Sequence, residues 1–213
     1  NTPDKQGTYY TYYEDNLRKA YLYQASLENN MYNALADGEF LPYLPKFNIT
    51  NNKIIGSEAL VRWQSPINGF MGPDSFIPIF EKNGFIAEID LYMLEQVCKT
   101  FREYLMNNYP IYPCSVNLSR VTLNHPDLIL RIKCIVEEYR IPTEYIEFEI
   151  TENVFVSDHN AIINTLNELK SLGFVISMDD FGSGYSSLIL LKDLPIDVLK
   201  LDRQFLDADT TNP

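Results

Sequence analysis

Acidic side chains recur in this sequence at the ends of short apolar runs, where several of them could meet around a metal ion. The candidates are four carboxylates and one amide from four separate runs: Glu58, Asn117, Glu149, Asp179 and Asp180. Carboxylates at close range repel one another, and each is costly to desolvate unpaired, so they need protons or cations to coexist. Oxygen ligands of this kind favour Mg²⁺, Mn²⁺ or Ca²⁺ over zinc or copper.

The adjacent pair Asp179 and Asp180 favours a site for two metals, because neighbouring residues at a strand end can splay apart. Two ions about 3.5–4 Å apart serve to activate a water and to stabilise the leaving oxygen when a phosphodiester is cleaved. Lys200 could orient that water or neutralise charge in the transition state. Arg62, four residues after Glu58 and on the same face of an extended strand, could hold a phosphate oxygen.

Each of these residues also has an ordinary structural explanation, such as a helix cap, a turn former or a surface ion pair. For any one of them alone, that explanation is at least as good as the functional one. Together the residues argue otherwise, because separate strands would have to place polar groups at matching depth by accident.

The elements that must position these residues are short β-rich runs, each followed by a longer segment with helical spacing. Strands are predicted at six places: 39–49, 54–63, 111–118, 145–151, 173–180 and 197–203. Apolar stripes predict helices through two sets of residues: Ile89, Met93, Val97, Phe101 and Leu105, then Ile162, Leu166, Leu169 and Leu172. A further leading helix is predicted over 8–36, which contains no Pro or Gly.

This alternation of strand and helix predicts a parallel sheet, and the sidedness of the strands favours a barrel over an open sheet. In 145–151, Glu147 and Glu149 share one face while Phe148 and Ile150 share the other. A parallel strand covered by helices on both faces would instead be almost continuously apolar. In a barrel, the apolar face meets the outer helices and the polar face converges inside, near the carboxyl ends of the strands. In the strand at 197–203, Leu199 and Leu201 likewise share the apolar face, opposite Lys200.

Composition sets limits on the function. With 213 residues, an apolar share of 46% and a net charge of −12, the chain is large enough for a sizeable core and is poorly suited to binding long DNA or RNA. A small anionic ligand is compatible with this charge if a metal supplies positive charge. Three cysteines without CxxC spacing and no apolar run of about 18 residues predict a soluble cytoplasmic protein, although a longer parent protein could be membrane-anchored.

Taken together, these segments resemble the EAL family of bacterial cyclic di-GMP phosphodiesterases. The resemblance runs from about Met31 to Phe205 and rests on five motifs in order. These are Glu58-Ala59-Leu60, Ser115-Val116-Asn117-Leu118-Ser119, Glu149-Ile150-Thr151-Glu152, DDFGSGYSSL at 179–188, and LKLDRQF at 199–205.

The resemblance implies a TIM-like (β/α) barrel with an antiparallel first strand, which hydrolyses cyclic di-GMP to linear pGpG with Mg²⁺ or Mn²⁺. It implies that one metal is held by Glu58, Asn117, Glu149 and Asp179, and that Asp179 bridges to a second held by Asp180. Catalytic work is implied for Lys200, Glu58 and Glu152: Lys200 contacts the water, and Glu152 steadies the DDFG loop, which is also tied to dimer contacts. Substrate-side positions are implied for Arg62 and Asp202.

Two departures from the family pattern stand out. A polar substrate contact of the family is replaced by Leu44, within Tyr43-Leu44-Pro45, and the sequence ends at Pro213, before the family's last strands. We therefore expect an EAL domain at 31–213, truncated after the sixth strand and weak or inactive as a fragment. Residues 1–30 are similar to a connector helix that follows a GGDEF domain, and a homodimer is possible.

Two alternatives to the phosphodiesterase remain open at this point. The first is a binding module that senses cyclic di-GMP without cleaving it, as Leu44 and the missing strands would favour. The second is a phosphoacceptor receiver domain, which also combines an acidic pair with a lysine but has an open sheet and a shorter chain.

Overall fold

The computed structural model describes residues 15–42, 45–47, 53–156, 159–182 and 194–201. The described helices, in chain order, are α1 (Asp15–Ala36), α2 (Ile77–Asn83), α3 (Ile86–Met106), α4 (Arg120–Leu123), α5 (Leu128–Tyr139) and α6 (His159–Ser171). The described strands are β1 (Phe40–Leu41), β2 (Pro45–Phe47), β3 (Ile54–Ala59), β4 (Arg62–Ser65), β5 (Gly69–Met71), β6 (Cys114–Asn117), β7 (Ile146–Thr151), β8 (Val175–Phe181) and β9 (Val198–Leu201). Within these ranges, none of the helices is both long and apolar enough to cross a membrane.

The main sheet has six strands in the order β2-β3-β6-β7-β8-β9. β2 pairs antiparallel with β3, and every later pair in this sheet is parallel. The sheet curls into a half-barrel, which confirms the predicted TIM-like barrel of α/β class with an antiparallel first strand. All six predicted strand regions contribute a strand to this sheet, because their β-rich composition and sidedness are local properties of the sequence.

Two predicted strands are wrong in their extent. The run 39–49 contains two short strands, β1 and β2, which belong to different sheets. Pro42 follows β1 directly, and a proline has no amide hydrogen with which to continue a ladder. The run 54–63 is broken as well, because the Leu60 amide turns back to the Glu58 carbonyl at 3.1 Å.

After that break, β4 and β5 join β1 in a second, small antiparallel sheet with the strand order β1-β4-β5. Trp63 on β4 is fully buried and packs against Phe40, Phe76 and Phe80. This aromatic cluster gives the break a physical reason, since turning at Leu60 lets Trp63 enter the core instead of continuing along β3.

The predicted helical stripes are largely buried. Ile89, Met93, Val97 and Phe101 of α3 lie in the core, whereas Leu105 in the last turn is 36% exposed. On the edge strand β9, Leu199 and Leu201 are 40% and 48% exposed, so the prediction that helices cover them is wrong for the described residues. No described helix follows β9 to pack on that face.

The leading helix is described from Asp15 as α1. It continues without interruption past residue 30, the predicted boundary between connector and domain. Residues 15–23 are exposed, and the first fully buried side chain is Leu27. The buried side chains of α1, Leu27 and Ala34, therefore lie in its second half, and Tyr23 adds a hydrogen bond to Met71 Sδ at 3.6 Å.

Candidate active site

Strand register brings four of the predicted site residues toward one end of the curled sheet. Asn117, the last residue of β6, pairs with Glu149 on β7, and Asp179 on β8 pairs with Thr151 two residues further along. Glu58 on β3 pairs with Ser115, two residues before Asn117. Asn117 and Glu149 are thus directly paired, whereas Glu58 is offset from Asn117, and Asp179 from Glu149, by two positions, as expected when strands tilt in a barrel.

Glu149 is the most buried carboxylate of this group, with 1% exposure. Lys200 and Lys46 both lie beside its Oε2, and no neutral group among the described residues donates a hydrogen bond to either oxygen. Burial raises the pKa of Glu149 to about 7; the Lys200 ammonium opposes this rise, while the Asp179 carboxyl and the charge of Glu58 add to it. A carboxylate buried without hydrogen bonds is costly unless cations lie beside it.

Lys200 supplies one such cation. Its ammonium forms an ion pair with Glu149 and lies 4.0 Å from a carboxylate oxygen of Glu58. Although burial disfavours its charged form, the carboxylates of Glu149 and Glu58 raise the pKa of Lys200 above its ordinary value. The lysine is therefore held charged against the acidic cluster.

Lys46 on β2 is a second cation at this place, and sequence analysis missed it. Its Nζ lies 3.9 Å from Glu149 Oε2 and 4.0 Å from Glu58 Oε2. It also donates a hydrogen bond to Ser115 Oγ at 2.6 Å, and Ser115 in turn donates to Glu147 Oε1 at 2.9 Å. In the sequence, Lys46 is a single lysine inside a predicted strand. Its position beside the acidic residues follows from the pairing of β2 with β3, which the sequence alone does not reveal.

The Asp179-Asp180 pair lies in a bulge of β8. Met178 pairs with Leu199 and Phe181 with Leu201, so two aspartates on β8 stand opposite the single residue Lys200 on β9. Asp180 has a φ of +53°, a left-handed conformation that is uncommon outside glycine but favoured by Asp and Asn. A bulge of this kind bends the strand and redirects side chains. Adjacent side chains of a regular strand point to opposite faces, so the bulge changes the relative direction of these two carboxylates.

Glu152 lies at the start of a 3₁₀ turn directly after β7 and is 8% exposed. Its Oε2 accepts a hydrogen bond from the Gly182 amide at 3.4 Å, just after the bulge in β8. The carboxylate therefore contacts the start of the glycine-rich segment. The remainder of that segment, as well as Asp202 and Leu44, lies outside the described residues.

Arg62 begins β4. The prediction that it shares an uninterrupted strand with Glu58 is wrong, because the chain turns at Leu60 between the two residues. It nevertheless lines a cavity of about 860 Å³ together with Asn117 and Glu149. Glu58 lines a neighbouring cavity of about 680 Å³. The turn thus changes the route by which Arg62 reaches the site.

A second residue that the sequence did not single out lines the 860 Å³ cavity. Asp90 of α3 is 6% exposed and accepts hydrogen bonds from the turn that follows β6. In the sequence it looked like a polar residue on an amphipathic helix. Its burial follows from the packing of α3 against β6 and α4, which only the tertiary structure reveals.

A divalent cation fits the chemistry of these residues. Among the described side chains, no three acidic, histidine or cysteine groups are already arranged to hold a metal, and two lysine ammonium groups lie beside the carboxylates. Even so, all the donors are oxygen atoms, and no neutral group among the described residues donates a hydrogen bond to the buried Glu149 carboxylate. Such a carboxylate, flanked by Asp179 and Glu58, suits a hard cation.

Comparison with known proteins gives the same assignment as the motifs. The EAL domain family model matches residues 28–213. Among curated proteins, the bifunctional diguanylate cyclase/cyclic di-GMP phosphodiesterase MucR of Pseudomonas aeruginosa is 33% identical over 199 residues, covering 93% of this chain and 29% of MucR. The cyclic di-GMP phosphodiesterase NbdA of the same species is 33% identical over 184 residues, covering 86% of this chain and 24% of NbdA. The chain therefore spans less than a third of the length of either relative.

Among solved structures, the PaMucR phosphodiesterase in complex with c-di-GMP matches with a TM-score of 0.78 and 34% identity, over 88% of this chain and 76% of that one. A match of this extent leaves no room for an open-sheet receiver domain. The family model and the structural match agree, and the chain belongs to the EAL domain family.

Proposed function

We propose that this chain is the catalytic domain of a phosphodiesterase that hydrolyses cyclic di-GMP to linear pGpG with Mg²⁺ or Mn²⁺. The observation that carries the proposal is buried Glu149, which is paired with Lys200 and lies beside the carboxylates of Glu58 and Asp179 where β3, β7, β8 and β9 meet. Three carboxylates gathered at one place are costly without positive charge, and a divalent cation would add to the charge of the two neighbouring lysines. The named activities of MucR and NbdA support the same substrate.

The proposed ligands of one metal are Glu58, Asn117, Glu149 and Asp179, and Asp180 would hold a second metal that Asp179 bridges. Bound metals of this kind activate water and stabilise the leaving oxygen of a phosphodiester. The bulge in β8 supports the division of labour between Asp179 and Asp180, since it aims adjacent carboxylates differently.

Three further residues act on the substrate side of this proposal. Lys200, held charged beside Glu149, would orient the attacking water and balance negative charge as it develops. Arg62 on the cavity wall would bind a phosphate oxygen, and Asp202 would contact the substrate. Positive groups are needed here, because the chain carries a net charge of −12 and the substrate is an anion.

Glu152 has a positioning role in this proposal. Its hydrogen bond to the Gly182 amide connects the end of β7 with the segment that follows Asp179 and Asp180. Loss of this contact would loosen both aspartates. Glu152 therefore acts on catalysis through the bulge.

The proposal is tested by incubating cyclic di-GMP with Mn²⁺ and the full-length parent protein, and following pGpG by chromatography. Turnover that Asp179→Asn abolishes is the expected result, and Glu144→Gln, an exposed site outside the cavity, is the matched control. No turnover by the parent, or turnover that Asp179→Asn leaves intact, would refute the proposal.

A second candidate is a domain that binds cyclic di-GMP without cleaving it. It is favoured by Leu44, which replaces a polar residue of the family pattern, and by Lys46 and Lys200, which already neutralise Glu58 and Glu149. Calorimetric titration of cyclic di-GMP, carried out beside the chromatographic assay, separates the candidates. Binding of cyclic di-GMP without formation of pGpG supports the sensor, and no binding at all contradicts it.

The exposed start of α1 supports a connector role for residues 1–30, as expected after a GGDEF domain. Residues 15–23 are exposed, and Leu17, Tyr21 and Leu22 are more than half exposed. An apolar, exposed helix suits packing against another domain or a second copy of the chain. Limited proteolysis of the parent protein would test this, because a packed connector resists cleavage between residues 15 and 23.

A further inference from the structure

A buried carboxylate outside the proposed ligand set holds the turn that follows β6. Asp90 lies in the second turn of α3 and is 6% exposed. Its Oδ2 accepts one hydrogen bond from the Ser119 amide at 2.8 Å and another from Thr122 Oγ1 at 2.5 Å. These two contacts join α3 to the turn, and the buried donors would have no partner without them.

The same turn is fixed from two other sides. Ser119 is the N-cap of α4, and its Oγ accepts a hydrogen bond from the Thr122 amide at 3.1 Å. The Leu118 amide donates to the Glu149 carbonyl at 2.9 Å. Thr122 itself is fully buried. The backbone that leaves Asn117 is therefore held by β7 on one side and by Asp90 on the other.

Asn117 depends on this support more than the acidic residues do. It is the last residue of β6, it is exposed, and its amide is neutral, so no charge draws it toward a cation. Its neighbours in the turn, Ser119 and Arg120, line the 860 Å³ cavity together with Asp90. A neutral ligand at the end of a strand binds well only if the backbone that carries it is fixed in advance.

We infer that Asp90 is a positioning residue of this site, which fixes the turn between β6 and α4 and so keeps Asn117 beside Glu149. The inference rests on the proposed function, in which Asn117 is a metal ligand. Asp90 touches neither metal nor substrate in this scheme. It acts by accepting two hydrogen bonds, and its charge is not required for that.

The test compares Mn²⁺ affinity by calorimetry in the full chain and in three variants. Asp90→Asn keeps an acceptor oxygen, Asp90→Leu has similar size without one, and Thr122→Val removes one of the two donors. Loss of a partner behind a metal ligand typically costs 10–100-fold in affinity. We therefore expect about a tenfold loss for Asp90→Leu, about threefold for Thr122→Val, and little change for Asp90→Asn.

Amide hydrogen exchange of residues 117–122, measured without metal, provides a readout that does not depend on the proposed function. Asp90→Leu and Thr122→Val are expected to speed exchange at Ser119 and Thr122, whereas Asp90→Asn is not. Unchanged exchange in Thr122→Val, or Mn²⁺ affinity unchanged in a folded Asp90→Leu, would overturn the inference. If Asp90→Leu does not fold, Thr122→Val and Asp90→Asn decide.

The two proposals fail in different ways. If the unchanged chain binds no Mn²⁺, the proposed function is wrong, while the exchange data still report whether Asp90 holds the turn. If the chain binds Mn²⁺ and Asp90→Asn weakens binding as much as Asp90→Leu does, the role as a hydrogen-bond acceptor is wrong and the proposed function stands.

Discussion

Lys46 Nζ lies 3.9 Å from Glu149 Oε2, although two strands, β3 and β6, separate their strands in the sheet. In a flat sheet, three strand spacings amount to about 14 Å. Side chains that stand perpendicular to such a sheet would not meet. The curl of the sheet brings the inner ends of both side chains together, and the same curvature gathers Glu58 and Lys200 around Glu149.

Lys46→Met is expected to destabilise the metal-free chain by about 1–3 kcal/mol, because Glu58 and Glu149 lose one of their two cations and Ser115 loses its donor. Saturating Mn²⁺ should recover most of the loss, since a metal would take over that neutralisation. Urea unfolding with EDTA and then with Mn²⁺ measures both.

Lys133→Met, on the exposed side of α5, is the matched control for this experiment. It removes the same charge from the chain without touching the acidic cluster. Equal destabilisation by both variants, or a Lys46→Met deficit that Mn²⁺ leaves unchanged, would show that Lys46 does not act through Glu58 and Glu149.

Glu149→Gln is expected to lower Mn²⁺ affinity by about 100-fold, because a neutral amide oxygen attracts the cation less strongly than a carboxylate oxygen does. Glu147→Gln is the matched control: it lies two residues earlier on the same strand face and hydrogen-bonds Ser115, but is not a proposed ligand. Calorimetric titration of Mn²⁺ into each chain measures the effect. Comparable losses in both variants would contradict the special role of Glu149.

Much of the fold follows from local sequence, because strand sidedness and helical stripes are properties of short segments. The six strand regions of the main sheet and the sidedness of β7 could be predicted in this way. The hairpin of β4 and β5 was missed even though Asn68-Gly69 is a recognised turn signal; Gly69 has a φ of +74°. The break at Leu60 has no such signal, since 54–63 looks uniformly β-rich and its division depends on the core around Trp63.

The residues of the candidate site also fall into those that the sequence predicts and those that it does not. Acidic residues at strand ends stood out because their clustering needs an explanation. Lys46 and Asp90 did not, since a lone lysine in a strand and a lone aspartate on a helix are ordinary surface features. Their roles are set by contacts with residues 12 to 103 positions away, which no local pattern encodes.

A pH-dependent stability difference is expected between the chain and Asp90→Asn. Burial raises the pKa of Asp90 to about 6 from an ordinary value of 3.8, against the hydrogen bonds from Thr122 and Ser119 and with a smaller contribution from the charge of Glu81. The folded state thus binds this proton more tightly than the unfolded state does. The stability from that proton is complete below about pH 3.8 and is lost as the pH rises through 6.

Asp90→Asn has no such proton, so the chain should lose roughly 1.4 kcal/mol relative to this variant between pH 5 and pH 7.5. Urea unfolding of both metal-free proteins at the two pH values measures the difference, and the titration of all other groups cancels in the comparison. A difference that stays constant with pH would contradict the raised pKa of Asp90.

Glu39 is expected to stabilise the domain through the indole of Trp63, the only tryptophan in the chain. Trp63 is fully buried, and its Nε1 donates a hydrogen bond to Glu39 Oε2 at 2.6 Å. Glu39→Ala leaves a buried donor without its acceptor, which should cost about 1–3 kcal/mol, whereas Glu39→Gln keeps an acceptor and should cost less. Urea unfolding followed by circular dichroism measures each cost, and a double-mutant cycle with Trp63→Phe isolates the contact. In the Trp63→Phe background no indole N–H is left without an acceptor, so Glu39→Ala should cost little. An equal cost in both backgrounds would show that the Glu39 side chain acts through other contacts.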